Sequence, residues 1–97
     1  MLFGNIHKGL AEYQRTPGAV LADVREADEF AGGHIPGAVN LPLSHIRAIR
    51  LLKDSVLFLY CLRGSSARKA AGILKKMGYL YVKSIGGITA YQGKLEE

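Results

Sequence analysis

The chain has 97 residues, a formal net charge of +5 and one cysteine. That length suits a single domain over residues 1–97 that buries its own core without disulfides. One cysteine excludes an internal disulfide and a metal site built from several cysteines. No apolar run approaches membrane-spanning length, and the first residues lack a basic leader, so we expect a cytoplasmic protein that is neither exported nor membrane-bound.

The charges are unevenly distributed along the chain. No acidic residue lies between Ser55 and Leu95. That half contains the basic residues Arg63, Arg68, Lys69, Lys75, Lys76, Lys83 and Lys94. Such a distribution predicts a positive field that attracts small anions. It does not predict nucleic-acid binding, because neither an aromatic-interleaved basic surface nor a known reading motif accompanies it.

The first third of the chain predicts two helical segments with a strand between them. Residues 5–15 predict a helix capped by Asn5, because apolar and polar side chains recur at helical spacing. Residues 19–24 form an apolar run that is typical of a buried parallel strand. Residues 25–30 predict one or two helical turns. The apolar face of the first helix consists of Ile6, Leu10 and Tyr13.

The middle of the chain predicts a turn, a brief strand and a helix. Residues 34–40 contain a Pro-Gly turn followed by the strand, and Pro42 excludes a longer central strand. Ser44 is placed to cap the helix. Residues 55–60 are apolar and predict the next strand, which runs directly into the cysteine. The apolar residues of the predicted helix are Ile46, Ile49 and Leu52.

The last third predicts a helix, a strand and a short final helix. Residues 67–77 have helical spacing, and Gly78 follows as a C-terminal cap. Residues 80–84 predict the last strand, and the Gly-Gly pair at 86–87 opens a short helix containing Ile88 and Tyr91. Alternating strands and helices with short links predict an α/β fold with a parallel sheet covered on both faces. Ligands bind such sheets beyond the carboxyl ends of the strands, where Cys61 falls.

Cys61 therefore lies at a strand-to-helix junction. The unpaired N–H groups in the first turn of a helix favour negative charge, and thiolate is such a charge. Gly64 frees the backbone, so the amides of residues 62–67 are expected to curl around the sulfur as an anion-binding nest. Two serines are placed to cap the helix and two arginines add positive charge: Ser65, Ser66, Arg63 and Arg68. These features favour a reactive nucleophile over a buried, inert cysteine.

Other chemistry-bearing residues have simpler interpretations. Asp23 and Arg25, at a strand end, are expected to form a structural ion pair, because a carboxylate in such a place needs a partner. The three histidines lack the spacing of metal ligands, so no zinc site is expected.

Four segments, in this order, resemble the signatures of the rhodanese domain family, and in particular its single-domain sulfurtransferases. The match covers nearly the whole chain. The segments are residues 21–26 with Glu29 and Phe30, residues 33–42, residues 61–66, and the Gly86-Gly87 pair followed by Tyr91.

The resemblance implies a rhodanese-like α/β fold with about five parallel strands, and a two-step sulfur transfer without cofactor or metal. Cys61 would attack the outer sulfur of a small anionic donor such as thiosulfate and hold a persulfide. A thiol acceptor such as a small redox protein, or cyanide in an assay, would then remove the sulfur. The resemblance assigns substrate binding to the loop residues Leu62, Arg63, Gly64, Ser65, Ser66 and Ala67.

Two alternatives stay open, together with the donor and the oligomeric state. Ser66 stands where many members carry arginine, so the donor preference is not fixed. A related cysteine phosphatase or arsenate reductase needs a longer loop and an arginine six positions after the cysteine, where this chain has Ala67. A noncatalytic rhodanese-like module that binds a partner or senses redox state is the other alternative, because a reactive cysteine does not establish turnover.

Overall fold

The computed structural model describes residues 6–97, so Asn5, the predicted cap of the first helix, lies outside the described residues. The elements in chain order are α1 (Ile6–Gln14), β1 (Val20–Asp23), α2 (Ala27–Ala31), β2 (Val39–Asn40), the 3-10 helix η1 (Leu43–Ala48), β3 (Val56–Cys61), α3 (Ser65–Lys76), β4 (Tyr81–Gly87) and the 3-10 helix η2 (Ile88–Ala90). The predicted alternation of strands and helices is therefore confirmed.

The strands form one parallel sheet in the order β2-β1-β3-β4. Within residues 6–97 the sheet has four strands, whereas the resemblance implied about five. Four strands were predicted from apolar segments of the sequence. The fifth was expected only because the chain resembles the rhodanese domain family. Asp23 pairs in register with Tyr60 on one side and with Asn40 on the other. The carboxyl ends of three strands thus meet at one edge of the sheet.

Helices cover both faces of the sheet, and β3 shows how the core is divided. Leu57, Leu59 and Cys61 pack on the face covered by α3 and η1, with Ala70 and Leu74 of α3 among their neighbours. The two intervening residues of the strand, Phe58 and Tyr60, pack on the opposite face with Ile6 and Leu10 of α1. A strand buried on both faces must be apolar at nearly every position, which is why its sequence shows no alternation.

The segment after Pro42 differs from its prediction. The helix expected to run from a Ser44 cap toward Leu52 is the 3-10 helix η1, which ends at Ala48, and the backbone is extended at the C-cap residue Ile49. Pro42 occupies the N-cap position and no side chain caps the helix. The hydroxyl of Ser44 instead donates a hydrogen bond to the Glu26 carboxylate. Leu52 is 76% exposed and lies outside η1, so the apolar spacing that predicted the helix continues beyond its end.

The chain after α3 also departs in detail from its prediction. Strand β4 continues through Gly86 and Gly87, which were expected to open the final helix. That helix is the three-residue η2, and Tyr91 follows it as the C-cap. None of the helices described between residues 6 and 97 combines the length and apolar character that a bilayer crossing requires.

Candidate active site at the end of strand β3

Cys61 is the last residue of β3 and points toward the start of α3. Its Sγ atom accepts a hydrogen bond from the backbone N–H of Gly64, with 2.9 Å between nitrogen and sulfur. The residue is 3% exposed and packs at the edge of the core beneath α3, yet it also lines an open cavity. The sulfur is thus held by a backbone amide at the positive end of a twelve-residue helix.

Gly64 gives the loop its shape. Its φ angle of +119° is one that L side chains rarely adopt, and its carbonyl accepts the N–H of Arg68 to begin α3. Gly64 itself is the N-cap, and no side chain caps the helix, so the predicted capping by Ser65 and Ser66 is wrong. Both serines lie inside the helix because the glycine lets it start immediately after the loop. In the described chain Sγ has one amide donor, so the nest expected from residues 62–67 contacts the sulfur through Gly64.

The end of β4 and η2 holds the other side of the loop. The backbone N–H and the hydroxyl of Thr89 both donate to the carbonyl oxygen of Leu62, at 3.2 and 3.1 Å. A Cβ atom at Gly87 would lie 2.5 Å from Cα of Arg63 and would also collide with the Leu62 carbonyl oxygen. The glycine at position 87 is therefore required by the close approach of two backbones.

A cavity of about 250 Å³ opens beside the cysteine. It lies between the cysteine loop, the junction from β1 to α2, and η1, because β1 and β3 are neighbours whose carboxyl ends meet. The lining residues are Val24, Arg25, Glu26, Glu29, Leu43, Cys61, Leu62 and Ser66.

Asp23 and Arg25 form the ion pair that the sequence predicted. Asp23 is fully buried, and the Arg25 guanidinium donates to both of its carboxylate oxygens, with 2.8 Å for the shortest contact. The hydrogen bond to Asp23 raises the pKa of Arg25. The same guanidinium donates to the carbonyl oxygen of Gly33, and the Asn40 amide donates to the carbonyls of both Asp23 and Arg25. This network fixes the wall of the cavity.

The cavity beside the cysteine is lined by acidic residues, although the half of the chain that contains Cys61 is basic. Glu26 and Glu29, which belong to the acidic first half, line the cavity. Arg63 is exposed, and Nη1 of Arg68 lies near Gly64 and Gly86, on the β4 side of the loop. In the sequence, Glu26 and Glu29 belong to the first of the four segments that resemble the family signatures, and neither was predicted to be a site residue. Their place directly after β1, the neighbour of β3, was the signal that could have found them.

The predicted site residues are brought together at one end of the sheet in different roles. Leu62 and Ser66 line the cavity with Cys61, Gly64 contacts the sulfur, and Arg63 and Ser65 are exposed. The side chain of the remaining predicted residue, Ala67, is fully buried in the core beneath α3. A methyl group facing the core at that position cannot replace the arginine that a phosphatase loop requires.

Fold and site together define a class, an α/β protein whose sheet delivers one cysteine into a short loop ahead of a helix. The Rhodanese-like domain family matches residues 7–94, and the chain belongs to this family. The resemblance drawn from the four sequence segments is thereby confirmed.

The chain is similar to several named proteins and solved structures. YqhL of Bacillus subtilis, described as uncharacterized, is 40% identical over 81 residues, which cover 80% of this chain and 64% of that protein. The chain therefore spans less than two thirds of YqhL. The thiosulfate sulfurtransferase GlpE of Pseudomonas savastanoi is 38% identical over 88 residues, covering 88% and 82% of the two chains. A solved structure of a rhodanese with anions from Escherichia coli superposes with a TM-score of 0.69 at 28% identity, covering 81% and 98%.

Proposed function

We propose that the chain is a sulfurtransferase that moves sulfane sulfur from a donor such as thiosulfate to a thiol acceptor through a persulfide on Cys61. The observation that carries the proposal is the 2.9 Å hydrogen bond from the Gly64 amide to Sγ, beside an open cavity. The relative named as a thiosulfate sulfurtransferase in Pseudomonas savastanoi supports the reaction class.

The loading step is a displacement at sulfur. The Cys61 thiolate attacks the outer sulfur of thiosulfate, a sulfur–sulfur bond forms, and sulfite leaves with the electron pair of the bond that breaks. The enzyme then carries a persulfide, and the total charge is unchanged. In the discharge step a thiolate acceptor, or cyanide in an assay, takes the outer sulfur, and Cys61 leaves as the thiolate. No cofactor or metal takes part in either step.

The loop supplies the electrostatic contribution to both steps. The Gly64 N–H stabilises negative charge on Sγ and need not move when the charge shifts to the outer sulfur. The N–H groups of Ser65, Ser66 and Ala67, in the first turn of α3, have no acceptors within the helix and are available to the bound anion. Leu62, Arg63 and Gly64 complete the substrate-binding loop. A reducing, cytoplasmic setting keeps the single cysteine reduced between turnovers, so that it is not lost to oxidation.

Steady-state transfer from thiosulfate to cyanide tests the proposal. We expect the wild-type chain to form thiocyanate over many turnovers, and Cys61→Ser and Cys61→Ala to fall to the uncatalysed rate. A wild-type chain that takes up sulfur once but does not turn over, with thiols or with cyanide, would be a noncatalytic sulfur-sensing module. Hydrolysis of a phosphate ester without sulfur uptake would instead support the phosphatase alternative.

A further inference from the structure

We infer that the cavity beside Cys61 selects small aminothiols, meaning thiols that carry an ammonium group, as acceptors of the persulfide sulfur. The inference follows from the carboxylates of Glu26 and Glu29, which line the same cavity as Cys61. It rests on the proposed function and names the acceptor class of that site.

The charge of the cavity wall is negative. Of the described residues, three charged ones line the cavity: Arg25, Glu26 and Glu29. The Arg25 guanidinium is 2.8 Å from the buried carboxylate of Asp23, and this carboxylate neutralises the positive charge of Arg25. The two glutamates have no comparable cationic partner among the residues that line the cavity, so the wall is net acidic even before the thiolate or persulfide is counted.

The two carboxylates are held in place at the start of α2. Glu26 is the N-cap of that helix, and its side chain accepts the N–H of Glu29 while also accepting the hydroxyl of Ser44 at 2.7 Å. The Glu29 side chain accepts the backbone N–H of Glu26 at 3.2 Å. These contacts restrict both side chains to the cavity mouth, although both residues are exposed to solvent.

The basic residues of the loop lie elsewhere. Nη1 of Arg68 would be 3.5 Å from a Cβ atom at Gly64, beside Gly86, and therefore faces β4. Arg63 is exposed and does not line the cavity. A ligand that enters from the cavity side meets the glutamates before it reaches the sulfur.

The rest of the wall sets the size and polarity of the acceptor. Val24, Leu43 and Leu62 are apolar, and a volume of about 250 Å³ corresponds to roughly eight water molecules. That space suits a thiol on a short carbon chain whose ammonium group faces the glutamates. A thiol that carries a carboxylate would meet like charges, which weakens its approach at low ionic strength.

The transfer step balances for such an acceptor. The aminothiol, as its thiolate, attacks the outer sulfur of the Cys61 persulfide and forms a new sulfur–sulfur bond. The bond between the outer sulfur and Sγ breaks, and its electron pair stays on Sγ as thiolate. The product is the persulfide of the aminothiol, and neither an oxidant nor a reductant is consumed.

The test is single-turnover discharge of a preloaded Cys61 persulfide. Protein loaded with inorganic polysulfide and desalted is mixed with cysteamine, 2-mercaptoethanol or 3-mercaptopropionate, which are similar in length and differ in charge. Each rate is divided by the thiolate fraction and by the rate of that thiol with a free persulfide. We expect cysteamine to exceed 2-mercaptoethanol by about three-fold for each carboxylate that contributes, and 3-mercaptopropionate to be slowest.

The variants Glu26→Gln and Glu29→Gln, alone and together, keep the hydrogen-bond acceptors of the helix start and remove the charge. We expect the double variant to lose the order of rates, and Asp28→Asn, on the same helix but outside the cavity wall, to keep it. The preference of the wild-type protein for cysteamine should also shrink as the salt concentration rises, a measurement that needs no variant.

Equal rates, a reversed order, or a preference that survives in the double variant would overturn the inference while leaving sulfur transfer intact. If no donor forms a persulfide on Cys61, the proposed function is wrong, and this inference is wrong with it.

Discussion

The amide nitrogen of Gly64 lies 2.9 Å from Sγ of Cys61, three residues earlier in the chain. The contact depends on the φ angle of +119° at Gly64, because this conformation turns the loop back on the cysteine before α3 begins. The backbone conformation at Gly64 therefore places the amide that donates a hydrogen bond to the cysteine sulfur.

Gly64→Ala should reduce both stability and sulfur transfer. A Cβ atom at this φ angle costs about 1–3 kcal/mol, and we expect the loop to relieve the strain by a backbone rotation that moves the amide away from Sγ. Gly18→Ala is the matched control, since Gly18 also has a positive φ of +83° and nothing lies within 4 Å of an added Cβ. Both variants should unfold at lower urea concentration, and only Gly64→Ala should lose transfer rate, by about ten-fold or more. An equal loss of rate in the two variants would contradict a local role for Gly64.

Gly87→Ala should displace the cysteine loop from β4. The added Cβ overlaps the backbone of Leu62 and Arg63, which cannot yield as a flexible side chain would. We expect a loss of about 1–3 kcal/mol in the free energy of unfolding. The value of kcat/KM should fall by more than the loss of folded protein alone explains. Gly72→Ala, in an exposed position of α3 with no atom within 4 Å, should instead stabilise the protein by about 0.5–1 kcal/mol. Full activity in Gly87→Ala would show that the two backbones can separate without consequence.

These glycines show what the sequence could and could not predict. The strand before Cys61 and the helix after it were predictable, because buried parallel strands and amphipathic helices have distinct periodicities. The close approach of Gly87 to the Leu62 backbone depends on the register between β3 and β4, which shifts between Leu59 and Cys61. Such a shift leaves no local pattern in the sequence. The acidic wall was missed for a related reason, since Glu26 is far from Cys61 in sequence and reaches it only because β1 and β3 are neighbours.

Arg25→Gln should strongly destabilise the fold. The substitution leaves the carboxylate of Asp23 buried without its cation, and breaking a buried pair on one side typically costs about 3–5 kcal/mol. Urea denaturation measures the change. Arg50→Gln is the control, because the exposed Arg50 guanidinium donates to the backbone carbonyls of Ala48 and Ile49, and it should change the free energy of unfolding by less than about 0.5 kcal/mol. Similar values for the two variants would mean that Asp23 finds another partner.

Tyr60→Phe should cost stability and alter its alkaline pH dependence. The buried Tyr60 hydroxyl accepts the backbone N–H of Ile35 at 3.0 Å, and its loss leaves that donor unpaired, at about 1–3 kcal/mol. Burial raises the pKa of Tyr60 above its ordinary value of 10.0. The unfolded chain therefore releases this proton first, so the stability that Tyr60 contributes is complete below pH 10 and falls as pH rises further.

Unfolding of wild type and Tyr60→Phe in urea between pH 8 and pH 11 checks both parts. The variant should be less stable at pH 8 and should lose less stability on the alkaline side. Tyr81→Phe, at an exposed position of β4, should match the wild type throughout. A parallel pH dependence in wild type and Tyr60→Phe would show that the buried hydroxyl ionises as readily as an exposed one.

Intact-mass measurement shows whether Cys61 carries the transferred sulfur. After incubation with thiosulfate and desalting, the wild-type protein should gain the mass of one sulfur atom, and addition of a thiol should remove it. Cys61→Ser should show no gain under the same conditions. A wild-type mass that does not change, or a gain that persists in Cys61→Ser, would mean that Cys61 does not carry the transferred sulfur.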